Sequence, residues 1–314
     1  MITATAPGKV ILFGEHAVVY GRPALAAPVT QLRAKAELTP TSEPDVLLVA
    51  PDVGRAALLS RTEPNNPLAA VVRIVETHCR CSLSAGYTLS VTSAIPIAGG
   101  LGSGAAIAIA IIRALGQYLE QADSFTPEVV SRLAYEVERL HHGTPSGIDN
   151  TVIAYERPVY FVRRAPQPLI ETFAQARPLR LIIGDTGVSS RTKDVVGDVG
   201  RQWAADRAEF ETIFDACGRI AEAGRAALAA GDLPAVGALM DENHDWLRRM
   251  TVSSPPLDAL VGAARAAGAL GAKLSGAGRG GNMIALVTAE TEAAVSAALL
   301  AAGAARVMTS DVGA

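Results

Sequence analysis

A glycine-rich segment that runs directly into an apolar stretch is the part of this chain best suited to binding a charged ligand. It reads Gly-Gly-Leu-Gly-Ser-Gly-Ala-Ala at residues 99–106 and continues with apolar residues to Ile112. Glycines allow a ligand to approach backbone N–H groups closely, and a helix start adds unpaired N–H groups and a positive dipole end. The pattern predicts an anion site, with a phosphate chain as the occupant. A structural glycine turn is the alternative, because neither the P-loop nor the dinucleotide motif is present.

Charged residues flank the first predicted strand. The apolar run Val10–Phe13 predicts a buried strand, with Lys9 at its start and Glu15 and His16 just past its end. Charged residues at the ends of rigid elements often build sites. The alternative is a surface lysine followed by a solvated Glu-His pair.

A third segment combines a helix end with acidic residues. A helix is predicted over 127–140, stopped by the glycine and Pro145 that follow. Glu138 then lies in the last turn, where the helix dipole disfavours an anion unless a cation such as Mg²⁺ is near. Asp149 is expected in a loop with Ser146, where an ordinary turn is the alternative.

Three motifs of this chain resemble those of the GHMP small-molecule kinases in order and spacing. They are Pro-Gly-Lys…Gly-Glu-His near the N-terminus, Gly-Leu-Gly-Ser…Ala-Ala in the middle, and Lys-Leu-Ser-Gly-Ala-Gly-Arg-Gly-Gly at 273–281. The resemblance spans residues 4 to about 287. Within the superfamily, the segments GEHAVVYG and HGTPSGIDN look like the mevalonate kinase family.

The resemblance implies an α+β, two-lobed GHMP kinase fold. Residues 1–168 would form an N-terminal ATP-binding lobe that carries the glycine phosphate loop, and 169–314 a ferredoxin-like C-terminal lobe. The implied activity is ATP-dependent phosphorylation of the primary hydroxyl of mevalonate, with Mg²⁺ as cofactor. A kinase acting on phosphomevalonate, another hydroxy acid or a sugar is an open alternative, as is a non-catalytic nucleotide-binding regulator.

The resemblance also implies roles for single residues. Asp149 would orient or deprotonate the acceptor hydroxyl and Lys9 would stabilise the developing alkoxide, with a structural salt bridge as the alternative. The Ser103 hydroxyl and the Glu138 carboxylate would hold Mg²⁺. The nucleotide-binding residues would be Gly99, Gly100, Leu101, Gly102, Ser103, Gly104 and Ala105. The substrate-binding residues would be Glu15, His16, Ser146, Thr192, Gly276 and Ala277.

The chain departs from the family pattern at two positions. Gly104 follows Ser103 where the family commonly has a second serine near the metal, which leaves the metal role of Ser103 open. Arg279 interrupts the last glycine run. We expect Arg279 to face solvent or to form a structural ion pair, with a phosphate contact as the alternative.

Composition narrows the class of protein. The chain has 314 residues, of which 49% are hydrophobic and 19% charged, and a net charge of −3, which excludes a disordered chain and disfavours nucleic acid as a partner. The longest apolar run, Ala105–Ile112, is shorter than the roughly 20 residues that a membrane span needs. Three cysteines make no disulfide framework, so a cytoplasmic location is expected. A metal cluster at His78, Cys79 and Cys81 is disfavoured, and a homodimer is left open.

The hydrophobic pattern predicts a mixture of strands and helices. Strands are expected near 4–13, 24–38, 46–50, 87–94, 159–163, 179–183 and 305–310, and a glycine-rich hairpin at 271–287. Helices are expected near 67–78, 103–121, 127–140, 194–230, 233–248, 256–267 and 289–302.

Overall fold

The computed structural model describes residues 1–63, 65–83, 86–96, 100–142 and 145–313, with the backbone alone at 141 and 142. None of the helices in these ranges is long and apolar enough to cross a membrane. The strands are β1 (Ile2–Phe13), β2 (Pro23–Pro40), β3 (Leu47–Ala50), β4 (Arg55–Leu58), β5 (Tyr87–Ser93), β6 (Val159–Val162), β7 (Leu169–Thr172), β8 (Leu179–Asp185), β9 (Gly271–Ser275), β10 (Asn282–Val287) and β11 (Arg306–Val312).

Helices follow or separate these strands along the chain. They are α1 (Pro67–Cys79), α2 (Ser103–Tyr118), α3 (Pro127–His142), α4 (Ile148–Tyr155), α5 (Thr192–Ala205), α6 (Arg207–Ala230), α7 (Leu233–Arg249), α8 (Pro255–Ala266) and α9 (Glu292–Ala301). Short 3₁₀ helices occur at Ala17–Tyr20, Pro51–Val53, Leu59–Arg61 and Ala122–Ser124.

The chain divides into two compact units by its internal contacts. The N-terminal unit comprises Met1–Gly8, Leu32–Ile97 and Gly102–Glu156, and the C-terminal unit comprises Lys9–Gln31, Ala98–Leu101 and Arg157–Ala314. Strands β1 and β2 each pass from one unit into the other. Because the units are groups of contacts and not consecutive stretches of chain, the lobe boundary after residue 168 stays a prediction.

Helix α2 forms the centre of the N-terminal unit. Its Ala- and Ile-rich sequence is apolar on almost every face, which is typical of a helix surrounded by protein, and ten of its residues from Ala105 to Gly116 are buried. Helices α1, α3 and α4 and strand β5 pack against it. Within this unit β5 pairs antiparallel with residues 34–40 of β2 and parallel with β3.

An antiparallel sheet in the order β11-β8-β10-β9 forms the centre of the C-terminal unit. Every residue of β9 and β10 is buried, because helices α7 and α8 pack against β9 and α8 also packs against β10. The register places Asn282 of β10 opposite Ser275 of β9. The predicted hairpin is therefore confirmed, with residues 276–281 as the loop between its strands.

Helix α4 corrects the prediction that Asp149 lies in a loop, which was wrong. Gly147 adopts a left-handed conformation as the N-cap, and Asp149 lies in the first turn of the helix. Ile148, Val152 and Ile153 are buried at helical spacing. The preceding Pro-Ser-Gly turn and the short length of the helix, eight residues, obscured this period in the sequence.

The structure also sets helix boundaries near Glu138 and at Asp206. Helix α3 continues to His142, so the prediction that Glu138 occupies the last turn was wrong and the dipole penalty there is weaker. Helical stretches were predicted over 194–230, and the structure divides them at Asp206, which separates α5 from α6. Its side chain accepts the Glu209 N–H at 3.1 Å, which caps α6 and stops the two helices from merging.

Candidate active site

The glycine-rich loop enters α2 through residues in left-handed conformations. Gly100 and Gly102 both have a φ of 74°, which glycine adopts without steric cost. Gly102 is the N-cap of α2 and makes no side-chain cap, so this helix start has the chemistry of an anion site. Gly99, also predicted to bind phosphate, lies outside the described residues.

Ser103 and Gly104 are the first two residues of α2. Ser103 is half-buried and Gly104 is exposed. Gly104 has helical backbone geometry, and a Cβ built on it would meet no atom within 4 Å. A side chain at position 104 is therefore sterically acceptable, so no packing constraint accounts for the missing second serine. Ala105, the third residue of the helix, is buried.

Backbone contacts join the three motifs inside the C-terminal unit. The Lys9 N–H donates to the Leu101 carbonyl at 2.9 Å, and Lys9 itself is buried. A Cβ on Gly276 would lie 3.7 Å from the Gly100 carbonyl oxygen. The first strand, the glycine-rich loop before α2 and the hairpin loop are separated by about a hundred residues or more in sequence, and they meet at their glycine-rich ends.

A strained turn carries Glu15 and His16 at the end of β1. Gly14 has a φ of 92°, and a Cβ there would lie only 2.4 Å from the Pro23 carbonyl oxygen. His16 has a φ of 58° and a ψ of −48°, a sparsely populated backbone conformation that costs about 1–3 kcal/mol. Non-glycine residues with positive φ cluster at functional sites, so the turn marks His16 as a candidate.

His16 is buried and neutral, and its two ring nitrogens have different roles: Nε2 donates a hydrogen bond, and Nδ1 is left able to accept one. Its Nε2 lies 2.9 Å from the Ala277 carbonyl oxygen, so Nε2 carries the proton and donates it, leaving Nδ1 unprotonated. Burial is the main cause that lowers the pKa of His16 to about 4, with the Ala277 carbonyl opposing and the Arg279 charge adding to it. Nδ1 is buried without a hydrogen-bond partner among the described residues.

Glu15 forms a fully buried ion pair with Lys273 of β9. Both side chains are 0% exposed, and Lys273 Nζ also donates to the Leu274 carbonyl at 2.7 Å. Burial raises the pKa of Glu15 and lowers that of Lys273, while the opposite charges in contact counteract both shifts. The other oxygen of Glu15, Oε2, has no hydrogen-bond partner among the described residues.

Lys273 is a site-supporting residue that sequence reasoning missed. It belongs to the third motif, but the motif gave it no role. The signal that could have found it is a lysine directly between the apolar residues Ala272 and Leu274 in a predicted strand. A lysine is almost never fully buried without a partner, so this position implies a buried acid elsewhere in the chain.

The acidic candidates and Ser146 belong to the N-terminal unit. Glu138 and Asp149 are both half-buried. The Ser146 hydroxyl accepts the Ile148 N–H at 3.3 Å and so helps to start α4. Thr151 donates to the Gly147 carbonyl at 2.7 Å, which fixes the first turn that carries Asp149.

Thr192 is the exposed first residue of α5, in the C-terminal unit. The segment before it is bound to the hairpin loop. The Gly281 N–H donates to the Val188 carbonyl at 2.8 Å, and the Ser190 hydroxyl donates to the Gly278 carbonyl at 2.6 Å. These bonds place the start of α5 against the loop that contains Gly276 and Ala277.

Arg279 forms a structural ion pair, one of the two arrangements that we expected. Its Nη1 contacts the Asp198 carboxylate of α5, and its Nε donates to the Thr251 carbonyl at 3.2 Å. The side chain is half-buried. Among the described residues, no cluster of three or more His, Cys, Asp or Glu side chains is arranged to hold a metal ion.

Family comparisons cover both halves of the chain. The description "GHMP kinases N terminal domain" matches residues 66–157, and "GHMP kinases C terminal" matches residues 225–305. A mevalonate kinase of Thermococcus sibiricus is 35% identical over 335 aligned residues, which cover 98% of this chain and 95% of that protein.

Solved structures agree with this assignment. The crystal structure of L. major mevalonate kinase in complex with R-mevalonate has a TM-score of 0.85 and 30% identity, and covers 99% of this chain and 96% of that one. The Methanococcus jannaschii mevalonate kinase has a TM-score of 0.86 and 26% identity, with coverage of 98% and 96%. The predicted α+β GHMP kinase fold is confirmed. The chain belongs to the GHMP kinase family.

Proposed function

We propose that this chain transfers the γ-phosphoryl group of ATP to the primary hydroxyl of mevalonate, giving 5-phosphomevalonate. Similarity to mevalonate kinases over nearly the whole chain supports this acceptor, and membership of the GHMP kinases supports ATP as the donor. The observation that carries the proposal is His16, whose buried Nδ1 is held in the accepting form and has no hydrogen-bond partner in the part of the chain that the structure describes.

Acceptor atoms on two consecutive residues, Glu15 and His16, favour a ligand that carries hydroxyl groups. His16 Nδ1 and Glu15 Oε2 are both buried acceptors without a hydrogen-bond partner among the described residues. Leaving such atoms unpaired is costly, and a hydroxyl of the substrate would donate to one of them. Mevalonate carries hydroxyl groups that meet this requirement. Ser146, Thr192, Gly276 and Ala277 would supply further polar contacts to the acceptor.

The phosphate chain of ATP would bind the N–H groups of residues 99–105 at the start of α2. The Ser103 hydroxyl and the Glu138 carboxylate are oxygen donors of one unit, and they fit Mg²⁺, which prefers oxygen ligands and keeps several waters. The ion, when bound, supplies positive charge that offsets the charge of the phosphates.

Asp149 and Lys9 would act on the acceptor hydroxyl. Asp149 would orient the hydroxyl and accept its proton, a role that requires an ionised carboxylate. The first turn of α4 suits that charge, because the positive end of the helix dipole stabilises an anion. Lys9 would stabilise the negative charge that develops on the hydroxyl oxygen during transfer.

A panel of acceptors assayed with MgATP tests the proposal. We expect ADP release that depends on mevalonate, with 5-phosphomevalonate as the product identified by mass spectrometry. Faster turnover of phosphomevalonate, another hydroxy acid or a sugar would show that mevalonate is not the preferred acceptor. ATP binding without turnover of any acceptor would instead indicate a nucleotide-binding regulator. A homodimer and a cytoplasmic location stay predictions, tested by sedimentation and by cell fractionation.

A further inference from the structure

The hairpin loop at residues 276–281 demands left-handed backbone at position 279. Gly278, Arg279, Gly280 and Gly281 all have positive φ, with Arg279 at 57°. A Cβ on Gly278 or Gly280 would lie 1.9 or 2.4 Å from a backbone oxygen, so only glycine fits there. Arg279 is the non-glycine residue of this run, and it adopts a conformation that glycine would adopt without strain. Contacts of its side chain must offset that strain.

Those contacts converge on helix α5 and on the link between α7 and α8. Arg279 Nη1 pairs with Asp198 of α5, while Nε donates to the Thr251 carbonyl in the link. Its hydrogen bond is the largest cause that lowers the pKa of Asp198. Gln202, one turn further along α5, donates to the Thr251 hydroxyl at 2.9 Å. Loop, helix and link are thus joined at one junction.

The start of α5 is held from its other side as well. The preceding segment binds the same loop through Val188 and Ser190. Thr192 therefore lies between two attachments, one at 188–190 and one at Asp198. Arg279 is also close enough to His16 for its charge to lower the pKa of that histidine. The junction links the elements that carry the acceptor-side candidates.

We propose that the Arg279–Asp198 pair is a latch that positions the start of α5, and with it Thr192, for binding of the acceptor. The inference rests on the proposed function, in which Thr192 contacts the acceptor. Arg279 is a positioning residue here, acting through α5. Arginine is needed because its planar fork reaches Asp198 and the Thr251 carbonyl in two directions, which a single ammonium group does not do.

Steady-state kinetics of four variants test the latch. Arg279→Gly and Asp198→Asn should each raise the KM for mevalonate about fivefold, the scale of a half-exposed ion pair. The KM for ATP and kcat should stay close to wild type. The double variant should be no worse than either single variant, because both remove one interaction. Arg201→Ala is the matched control, since Arg201 also pairs with Asp198 but is 74% exposed and belongs to α5, not to the hairpin loop. It should behave as wild type.

Additive effects of the two substitutions, a rise confined to the KM for ATP, or an equal effect of Arg201→Ala would each overturn the latch. Amide hydrogen exchange of residues 186–205 gives a readout that does not need substrate. Exchange there should be faster in Arg279→Gly and Asp198→Asn than in wild type or Arg201→Ala, and unchanged exchange would refute the latch. If wild type does not phosphorylate mevalonate while exchange responds as expected, the proposed function fails and the latch stands as a constraint on α5.

Discussion

Replacing Lys273 by methionine tests how much the buried ion pair with Glu15 contributes to the stability of the C-terminal unit. Methionine keeps the unbranched, apolar part of the side chain, one atom shorter, but leaves the fully buried Glu15 carboxylate without the cation that it contacts. Removing one partner of a buried ion pair costs roughly 3–5 kcal/mol. The lost hydrogen bond from Nζ to the Leu274 carbonyl belongs to the same substitution. We therefore expect a decrease of roughly that size in the free energy of unfolding at pH 7.

The double variant Glu15→Gln/Lys273→Met should recover most of this loss, because no buried charge then remains unpaired. Lowering the pH should reduce the difference in free energy of unfolding between Lys273→Met and wild type. Burial raises the pKa of Glu15, and protonation of Glu15 removes the unpaired charge. Arg180→Met is the control. It breaks ion pairs with Glu292 and Asp311 at an arginine that is 42% exposed, and each lost pair should cost at most about 1 kcal/mol.

Urea unfolding followed by tryptophan fluorescence measures these changes. Trp203 and Trp246 both pack against the core of the C-terminal unit, so the signal reports the unit that holds the pair. A cost below about 1 kcal/mol for Lys273→Met, or a double variant no more stable than the single one, would refute the reasoning about the buried pair.

Three further predictions concern the phosphate loop, the metal and pH. Ser103→Ala should cost roughly 1–3 kcal/mol of transition-state stabilisation if the Ser103 hydroxyl binds the metal or a phosphate. Gly104→Ser should fold normally, because position 104 is helical and a Cβ there meets no other atom. If Ser103→Ala has the kcat of wild type and Gly104→Ser a higher one, the metal-facing position is 104. Glu138→Gln should raise the Mg²⁺ concentration needed for half-maximal turnover, and an unchanged Mg²⁺ titration would make Glu138 a structural acid. The free energy of unfolding should fall as the pH drops from about 6.5 towards 4, because burial lowers the pKa of His16 and His244 to about 4 and the unfolded chain takes up protons first. The dependence of this free energy on pH should be weaker in His16→Asn but unchanged in the control His78→Asn, which replaces an exposed histidine. Equal pH dependence in the two variants would contradict the prediction.

Local chemistry made much of the fold predictable from sequence. The all-apolar stretch after the glycine loop predicts α2, and the glycine-rich segment flanked by apolar residues predicts the hairpin formed by β9 and β10. Both signals lie within a few consecutive residues, where hydrophobic period and glycine content decide the structure. Helix α4 was not predicted, because it has only eight residues and follows a Pro-Ser-Gly turn, so its hydrophobic periodicity is too short to recognise in the sequence.

The contacts that support the candidate site were not predictable in the same way. Glu15 and Lys273 are 258 residues apart in sequence, and Asp198 and Arg279 are 81 apart. Nothing in either local pattern names the partner, because long-range pairing is set by the packing of β1, α5 and the hairpin. The tautomer of His16 depends on the Ala277 carbonyl, which is equally remote. The sequence could indicate which residues have side chains suited to chemistry, but not which of their atoms already have a hydrogen-bond or ion-pair partner in the folded protein.

Phosphorylation of mevalonate by wild type and by Asp149→Asn is the most direct test of the account. The amide is nearly isosteric with the carboxylate but does not accept a proton, so the fold and the KM for ATP should be retained. General-base steps typically contribute about 10²–10⁴-fold, and we expect kcat with mevalonate to fall by that factor. A wild type that does not phosphorylate mevalonate, or a decrease of less than about tenfold in Asp149→Asn, would contradict the proposed reaction or the role of Asp149 in it.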